Sequence, residues 1–365
     1  MKKLLYLLGV VLCLWSCGGV CLVEGKMNDF SEDLPVYLLK RTGEFTYDTV
    51  GQTQMKNGLF QLDIPKDLWG EQYELKFGDK RSSISFFAEA GKIEVEGSEK
   101  AIYNSTVKGT PENDRWRSYY HFMMEQGKRR NQLMREISAG SEPDSVKRIE
   151  YTELAQKMDE ELRHYKDSLT QTNPGSVVAL YVHYQVLPML KYDQIDEILQ
   201  HFTPYLSDNR YYQEMKERAD ILRRISPGVM APDFKVKTVT GEDISLSSFR
   251  GKYLILDFWA SWCAPCREET VFIKELYDKY HDKGLEVFSV SLDDKQDLWT
   301  KAIQDDKMNW NHGCQLMRGG KNTPVAQLYG IDGIPAIWVI DPTGKILAQG
   351  LQGERLVDFC SQLFH

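Results

Sequence analysis

Hydrophobic and polar residues alternate along the first third of the chain as half-buried β-strands require. Tyr73-Glu74-Leu75-Lys76-Phe77 alternates strictly, and Lys92-Ile93-Glu94-Val95-Glu96 repeats the pattern. Val36-Tyr37-Leu38-Leu39 is another short apolar run, and Lys56-Asn57-Gly58 is a typical hairpin turn. These patterns predict a small antiparallel β-sandwich over residues 29–109, in which no catalytic cluster of side chains is recognisable.

The hydrophobic period changes to that of helices over residues 111–225. Apolar side chains recur there at spacings of three and four, which places them on one helix face: Leu154, Met158, Leu162, Tyr165 and Leu169. Asn173-Pro174-Gly175 interrupts the pattern and predicts a break between helices. This region is therefore predicted to be a helical linker domain.

Strand-like and helix-like patterns alternate after Ser226-Pro227-Gly228. Residues 253–260 form an almost unbroken apolar run, as expected for a strand buried on both faces, and helical spacing follows it. Further strands are predicted over 285–292 and 336–340, and an apolar helix face closes the chain. This order predicts an α/β domain with a central sheet over residues 227–365, and a multidomain chain as a whole.

The first 23 residues have the pattern of an export signal or membrane anchor. Lys2 and Lys3 precede an apolar run, and Leu14-Trp15-Ser16-Cys17 resembles the lipobox of bacterial lipoproteins, in which Cys17 would become a lipidated N-terminus. Two alternatives remain: an uncleaved anchor from Leu4 to Val23, which is long enough to span a bilayer, and plain secretion. All three place the rest of the chain in an oxidising compartment, where disulfide chemistry is possible.

Composition and charge disfavour two classes of protein, those that bind nucleic acid and small disulfide-stapled scaffolds. The 365 residues exceed one ordinary domain, and 42% apolar with 27% charged residues is a globular balance. A net charge of −8 without a basic block disfavours nucleic acid as a partner. Seven cysteines are too few for a disulfide-stapled scaffold, so their placement matters more than their number.

Cys263 and Cys266 follow a predicted buried strand directly and open a predicted helix. Unpaired N–H groups at a helix N-terminus stabilise a thiolate, so Cys263 is expected to attack disulfides, and Cys266, one turn later, to release the mixed disulfide. A zinc site is disfavoured, because only His312 and Cys314 are candidates for further ligands and metal-ligand spacing is absent. A purely structural disulfide is also disfavoured, because so small a loop contributes little entropy.

Residues 227–365 resemble a thioredoxin-fold domain of the TlpA/ResA-like type. The resemblance is carried by the run Phe258-Trp259-Ala260-Ser261-Trp262-Cys263-Ala264-Pro265-Cys266-Arg267, by Ala231-Pro232-Asp233-Phe234 and by Gly333-Ile334-Pro335, which is similar to the family's cis-proline loop. The preceding regions resemble, through their organisation and Val107-Lys108-Gly109-Thr110, the N-terminal extension of exported thioredoxin-like proteins of the Bacteroidetes type.

The resemblance and the residue types together suggest roles for two acids. Asp257 is the only charge in its strand, so its pKa is expected to be raised, and in thioredoxins the acid at this position accepts the proton of the resolving cysteine. The alternative is an acid at a wet strand end. Glu269 matches the family's acid after the cysteine pair and is expected to tune the thiols, unless it is a solvated glutamate on a helix face.

Two further residues are candidates for substrate contact. Pro335 is expected to follow a cis peptide bond, which turns the backbone of Ile334 toward an incoming chain. Trp262 is expected to cover one edge of the sulfur pair, with core packing as the alternative.

The sequence thus predicts a membrane-tethered thiol:disulfide oxidoreductase of the cell envelope, facing the periplasm, that acts on disulfides of protein substrates. The family resemblance implies that it reduces or isomerises these disulfides. Its partners are expected to be protein thiols and disulfides, a membrane through the N-terminal lipid or anchor, and an upstream membrane electron donor; no cofactor or metal is implied. The alternatives are a peroxiredoxin-like peroxidase, whose Pro-x-x-x-Thr-x-x-Cys pattern is absent, and a binding or assembly protein acting through its N-terminal domain.

Overall fold

The computed structural model describes residues 19–43, 46–139, 144–317 and 320–364. The described chain forms two compact units, one made of residues 19–185 and 201–212 and the other of residues 186–200 and 213–364. Cys17 and the charged start of the predicted signal lie outside the described residues. Among the helices that are described, none is both long and apolar enough to span a bilayer.

Two four-stranded sheets form the β-rich part of the first unit. The strands are β1 (Cys21–Asn28), β2 (Leu34–Arg41), β3 (Tyr47–Met55), β4 (Leu59–Ile64), β5 (Gln72–Phe77), β6 (Ser83–Phe87), β7 (Gly91–Ser98) and β8 (Thr106–Lys108). One sheet has the order β4-β1-β7-β8 and the other β3-β2-β5-β6. Inward side chains of both sheets, such as Val23, Phe60, Leu38 and Leu75, share one hydrophobic core, so the predicted sandwich is confirmed.

The start of the sandwich differs from the prediction. Strand β1 begins at Cys21, whereas the sequence placed the domain boundary at residue 29 and assigned residues up to 23 to the signal or anchor. Cys21, Val23 and Met27 alternate with more exposed residues and are buried in the core, a short pattern that the adjacent apolar run hides in the sequence. Strand β1 also pairs with β7 in parallel, so the first sheet is mixed and not purely antiparallel.

Helices follow the sandwich, as the periodicity predicted. They are α1 (Pro111–Ala139), α2 (Asp144–Thr172), α3 (Val177–Tyr184), α4 (Tyr192–Leu206) and α5 (Arg210–Arg224). Helix α3 starts at Ser176, whose side chain accepts a hydrogen bond from the backbone N–H of Ala179, and Asn173-Pro174-Gly175 lies in the break before it.

The second unit contains a seven-stranded sheet flanked by helices. Its elements are β9 (Lys235–Lys237), β10 (Asp243–Ser245), β11 (Tyr253–Trp259), α6 (Ala264–Tyr280), β12 (Leu285–Ser291), α7 (Gln296–Asp305), β13 (Asn311–Cys314), α8 (Pro324–Leu328), β14 (Ala336–Ile340), β15 (Ile346–Gln349) and α9 (Glu354–Leu363). The strand order is β10-β9-β13-β12-β11-β14-β15, with β11 parallel to β12 and antiparallel to β14. Both faces of β11 are buried, which explains its unbroken apolar sequence.

The end of helix α5 belongs to the core of the second unit. Ile225 is buried among side chains of the sheet, and Trp338 Nε1 donates a hydrogen bond of 3.1 Å to the carbonyl oxygen of Ile225. The second unit therefore reaches back beyond residue 227, where the sequence placed its start. The predicted fold class is confirmed: a β-rich region and a helical segment precede an α/β thioredoxin-like domain.

Candidate active site

The cysteine pair lies at the point where strand β11 passes into helix α6. A disulfide joins Cys263 and Cys266, with an S–S distance of 2.06 Å. Cys263 is the N-cap of α6, and its Sγ accepts a hydrogen bond of 3.2 Å from the backbone N–H of Cys266. Pro265 occupies the first helical turn, where its missing N–H leaves no hydrogen bond unmade. The sulfur of Cys263 therefore sits where N–H groups favour negative charge.

Side chains from outside the motif hold the turn before the helix. The backbone N–H and the hydroxyl of Ser261 donate hydrogen bonds of 2.9 and 2.6 Å to the carboxylate of Asp293, which is itself buried. Arg267, directly after the pair, forms an ion pair with Asp306. Neither acid was singled out from the sequence, because both lie about 30 to 40 residues along the chain and carry no motif of their own.

The proline loop lies against the disulfide. The bond between Ile334 and Pro335 is cis, as predicted. The carbonyl oxygen of Ile334 is 3.7 Å from Sγ of Cys263, a contact in which a reduced Cys263 thiol can donate its hydrogen. Gln352 Nε2 donates a hydrogen bond of 3.0 Å to the carbonyl oxygen of Pro335. The backbone of this loop thus lies next to the sulfur of Cys263.

Asp257 is buried in strand β11, so the alternative of an acid at a wet strand end is wrong. It points to the same face of the strand as Ile255 and Trp259, which pack in one cluster with both cysteines. Burial raises its pKa to about 7, and the charge of Glu269 adds to the rise, while a hydrogen bond from Ser289 opposes it. A carboxyl with that pKa can take up a proton near neutral pH.

A short hydrogen-bond chain that sequence reasoning missed ends on Asp257. The indole Nε1–H of Trp310 donates to the hydroxyl oxygen of Ser289 at 2.9 Å, and Ser289 donates to Oδ2 of Asp257 at 3.0 Å. An indole can only donate, so the single hydroxyl hydrogen of Ser289 is directed to the carboxylate. Ser289 stands opposite Asp257 in the β11–β12 register, which is a relation of the sheet and not of the sequence.

Glu269 lies in helix α6 one turn after Cys266 and is buried, so the alternative of a solvated glutamate is wrong. Both of its carboxylate oxygens accept the backbone N–H of Gly353, at 2.8 and 3.0 Å. Burial raises its pKa, and the hydrogen bond from Gly353 partly offsets this. Asp257 and Glu269 are therefore buried carboxyls whose pKa values are both raised, on the two elements that flank the cysteine pair.

Trp262 lies on the surface, with 65% of its side chain exposed, so core packing is not its role. It lines a cavity of about 330 Å³ together with Leu292, Gly320 and residues 331–334. This groove, called here the Trp262 groove, is mainly apolar. Both cysteines are almost fully buried, at 5% and 2% exposure, whereas the neighbouring Trp262 is exposed.

Comparison with known proteins agrees with this geometry. Residues 227–349 match the AhpC/TSA family. The thiol-disulfide oxidoreductase ResA of Bacillus thuringiensis subsp. konkukian is 31% identical over 128 residues, which are 35% of this chain and 70% of ResA. ResA of Oceanobacillus iheyensis is 34% identical over 135 residues, or 36% of this chain and 67% of that protein. The chain belongs to the ResA family of thiol-disulfide oxidoreductases.

The ResA-family assignment confirms that the protein is an enzyme of the thiol-disulfide oxidoreductase class with a redox disulfide. Among solved structures, the thioredoxin domain of a thiol-disulfide oxidoreductase from Bacteroides vulgatus is similar, with 34% identity and a TM-score of 0.36, covering 38% of this chain and 99% of that chain. A Bacteroides fragilis thiol-disulfide oxidoreductase has 36% identity and a TM-score of 0.35, covering 37% and 98%. Residues 21–116 of this ResA-family protein match a domain of unknown function, DUF4369.

Proposed function

We propose that the protein is an exported, membrane-tethered enzyme that reduces or exchanges disulfides of protein substrates through its Cys-Ala-Pro-Cys motif. The observation that carries the proposal is the position of Cys263 Sγ: it caps helix α6, accepts the N–H of Cys266 and lies 3.7 Å from the carbonyl oxygen of Ile334. Nucleophile, helix N-terminus and a backbone surface for a peptide are thus brought together.

The first step uses the reduced enzyme. The thiolate of Cys263 attacks one sulfur of a substrate disulfide, so that the substrate S–S bond breaks and a Cys263–substrate disulfide forms. The displaced substrate sulfur leaves as a thiolate and takes a proton from solvent. The exposed surface around Trp262 and the backbone of Ile334 hold the substrate chain during this exchange, which resembles addition of a strand.

The second step releases the substrate. Cys266 gives its proton to the carboxylate of Asp257 and attacks Sγ of Cys263, so that the mixed disulfide breaks and the Cys263–Cys266 disulfide forms. The second substrate sulfur leaves as a thiolate and is protonated. Glu269 supports Asp257 as a base near neutral pH, because its charge raises the pKa of the buried carboxyl.

The oxidised enzyme then needs two electrons, and a membrane dithiol donor supplies them in this proposal. The same exchange runs in reverse: a donor thiolate attacks the Cys263–Cys266 disulfide, and the donor ends as a disulfide. Support for a site in the cell envelope comes from the sequence alone, through Lys2, Lys3, the apolar run and Cys17.

Insulin reduction by the full-length protein, with dithiothreitol as electron source, tests the chemistry. Cys263→Ser is expected to abolish turnover, because the attacking thiolate of the proposed mechanism is lost, and Cys266→Ser to accumulate the mixed disulfide. Cys360→Ala is the matched control, since Cys360 is a buried thiol of helix α9 outside the site. Native turnover by Cys263→Ser contradicts the mechanism. Rapid peroxide consumption by the native protein, with no insulin reduction, favours the peroxidase alternative.

Membrane attachment is tested separately in cells. The native chain is expected to be found in the membrane fraction and to take up labelled fatty acid, and Cys17→Ala to lose the label. Label that persists in Cys17→Ala contradicts lipidation at this residue. Membrane association without any label favours the uncleaved anchor.

A further inference from the structure

Arg218, a residue of helix α5 that precedes the family-matched region, reaches the loop beside the active site. Its Nη1 donates a hydrogen bond of 2.7 Å to the carbonyl oxygen of Gly330, and its Nη2 forms an ion pair with Asp332. The side chain is mostly buried, with 15% exposure, and among the described residues its Nε finds no hydrogen-bond partner. The two Nη contacts therefore fix the orientation of the guanidinium.

Among the described residues, the loop over residues 330–335 makes few other hydrogen bonds, and it follows Tyr329 and contains Ile331, which are both buried in the core of the sheet. Gly330 and Ile331 donate their N–H groups to the carbonyl oxygens of Gln327 and Ala326 in helix α8. Beyond Ile331, each described hydrogen bond of the loop up to Pro335 involves a side chain of another element. Arg218 thus contacts the loop at Gly330 and again at Asp332, for which no backbone hydrogen bond is described.

The approach of Arg218 to the loop is close. At Gly330, which has a φ of 54°, a Cβ atom would lie 2.4 Å from Nη1 of Arg218 and 2.9 Å from Cγ2 of Ile221. Only glycine accommodates both this backbone conformation and this contact. The loop therefore lies directly on helix α5, with no space for a side chain between them.

The same loop forms one wall of the Trp262 groove. Ile331, Asp332, Gly333 and Ile334 line it, and the carbonyl oxygen of Ile334 contacts Cys263. A shift of Gly330 and Asp332 would displace this wall, whereas Cys263 and Cys266 are held by β11 and α6. Loss of the Arg218 contacts is therefore expected to change the shape of the groove, while β11 and α6 keep the two cysteines in position.

We infer that Arg218 is a positioning residue that sets the shape of the Trp262 groove and thereby the affinity of the enzyme for extended, apolar segments of disulfide-bonded proteins. The inference rests on the proposed function, because it assumes that protein disulfides dock in this groove. A planar guanidinium suits the task, since it can bond the Gly330 carbonyl and the Asp332 carboxylate together, which a single ammonium group does less well.

The test compares a large and a small reaction partner with the full-length protein. Arg218→Met keeps much of the length and apolar contact of the side chain but removes both bonds to the loop. The KM for insulin is expected to rise about fivefold with kcat within about twofold, since ground-state binding is lost. Reduction of the Cys263–Cys266 disulfide by dithiothreitol is expected to keep its rate, because so small a thiol makes little use of the groove.

Two further variants separate positioning from a loss of folding. Asp332→Asn, at a half-exposed loop position, is expected to raise the KM for insulin in the same direction by a smaller factor. Arg223→Met is the matched control: Arg223 lies on the same helix and pairs with Asp196 and Asp220, away from the loop. It is expected to leave both reactions unchanged.

The outcomes distinguish the inference from the proposed function. An unchanged KM in both Arg218→Met and Asp332→Asn overturns the inference and leaves the proposed function standing. A dithiothreitol rate that falls as much as the insulin rate also overturns it, because the defect would then lie in the sulfur site. A native protein that does not reduce insulin overturns the proposed function, and the inference with it.

Discussion

Two buried side chains of nearly the same shape, one in each unit, show how differently the protein uses polar burial. Asn113, at the start of helix α1, is fully buried and makes three hydrogen bonds: two with the backbone N–H and C=O of Phe87 and one with the hydroxyl of Thr110. Asp257, in strand β11, is also buried, but among the described residues it accepts a single side-chain hydrogen bond, from Ser289.

The difference lies in how well hydrogen bonds satisfy each buried group. The side-chain amide of Asn113 makes three hydrogen bonds and joins helix α1 to the edge strand β6. Because the amide carries no charge and its bonds are satisfied, its burial stabilises the fold. A buried carboxyl with one bond is costly when ionised, and its pKa rises to about 7 in consequence. Such under-satisfied groups are typical of functional sites, where a fold keeps a group that it would otherwise exclude.

Asp257→Asn gives the second unit a buried amide in place of its buried carboxyl. Turnover of insulin at pH 7 is expected to fall at least about a hundredfold, because the resolving step loses its base. The free energy of unfolding is expected to stay level or rise, since no charge remains to be buried. Single-turnover kinetics with trapping of the Cys263–substrate disulfide check the step. Wild-type turnover in this variant would remove Asp257 from the mechanism.

The pH dependence of stability follows from the same residue. The pKa of Asp257 is about 7 in the folded protein against 3.8 for the free side chain. Between these values the unfolded chain has lost the proton and the folded protein keeps it, so stability falls as pH rises from about 4 to about 7 and is level above. Burial lowers the pKa of His312 to about 4, which makes stability rise with pH over the same range. Both proteins share this effect of His312, so the difference in unfolding free energy between wild type and Asp257→Asn, measured against pH, shows the contribution of Asp257.

Asn113→Ala tests whether the buried amide stabilises the first unit. The backbone groups of Phe87 would be left unpaired, which is expected to destabilise the first unit by about 2 kcal/mol. Denaturant unfolding and amide hydrogen exchange at Phe87 measure the loss, while the rate of reduction of Cys263–Cys266 by dithiothreitol is expected to stay at the wild-type value. Asp114→Ala, at the next, half-exposed position, is the control. Unchanged exchange at Phe87 would show that the amide is not needed.

Ser289→Ala has the smallest expected effect and tests the single bond of Asp257. Loss of a hydrogen bond to the ionised form raises the pKa of the carboxyl further, so turnover at pH 7 is expected to fall about threefold and to approach the wild-type rate at higher pH. Trp310→Phe, which leaves the Ser289–Asp257 contact in place, is expected to shift the pH profile less. A profile identical to wild type in Ser289→Ala would show that the chain from Trp310 has no influence on the acid.

The fold class could be predicted from the sequence, but some domain boundaries could not. The alternation in β5 and β7, the apolar run of β11 and the helical spacing after it predicted the fold class, since each depends on neighbours along the chain. The boundaries were harder. Strand β1 was merged with the apolar run that precedes it, and the end of α5 was assigned to the linker, because packing against a distant sheet leaves no local pattern.

The reactive pair, its helix N-terminus and the acid in the buried strand could be predicted from the sequence, because they follow from residue type and spacing. The cis bond before Pro335 was implied by the resemblance to the thioredoxin-fold family. Their neighbours in the site depend on the tertiary structure. Ser289 and Trp310 meet Asp257 through sheet register, Gly353 meets Glu269 across 84 residues, and Arg218 meets the groove loop across more than 110. Such contacts depend on strand order and chain packing, which no short stretch of sequence encodes.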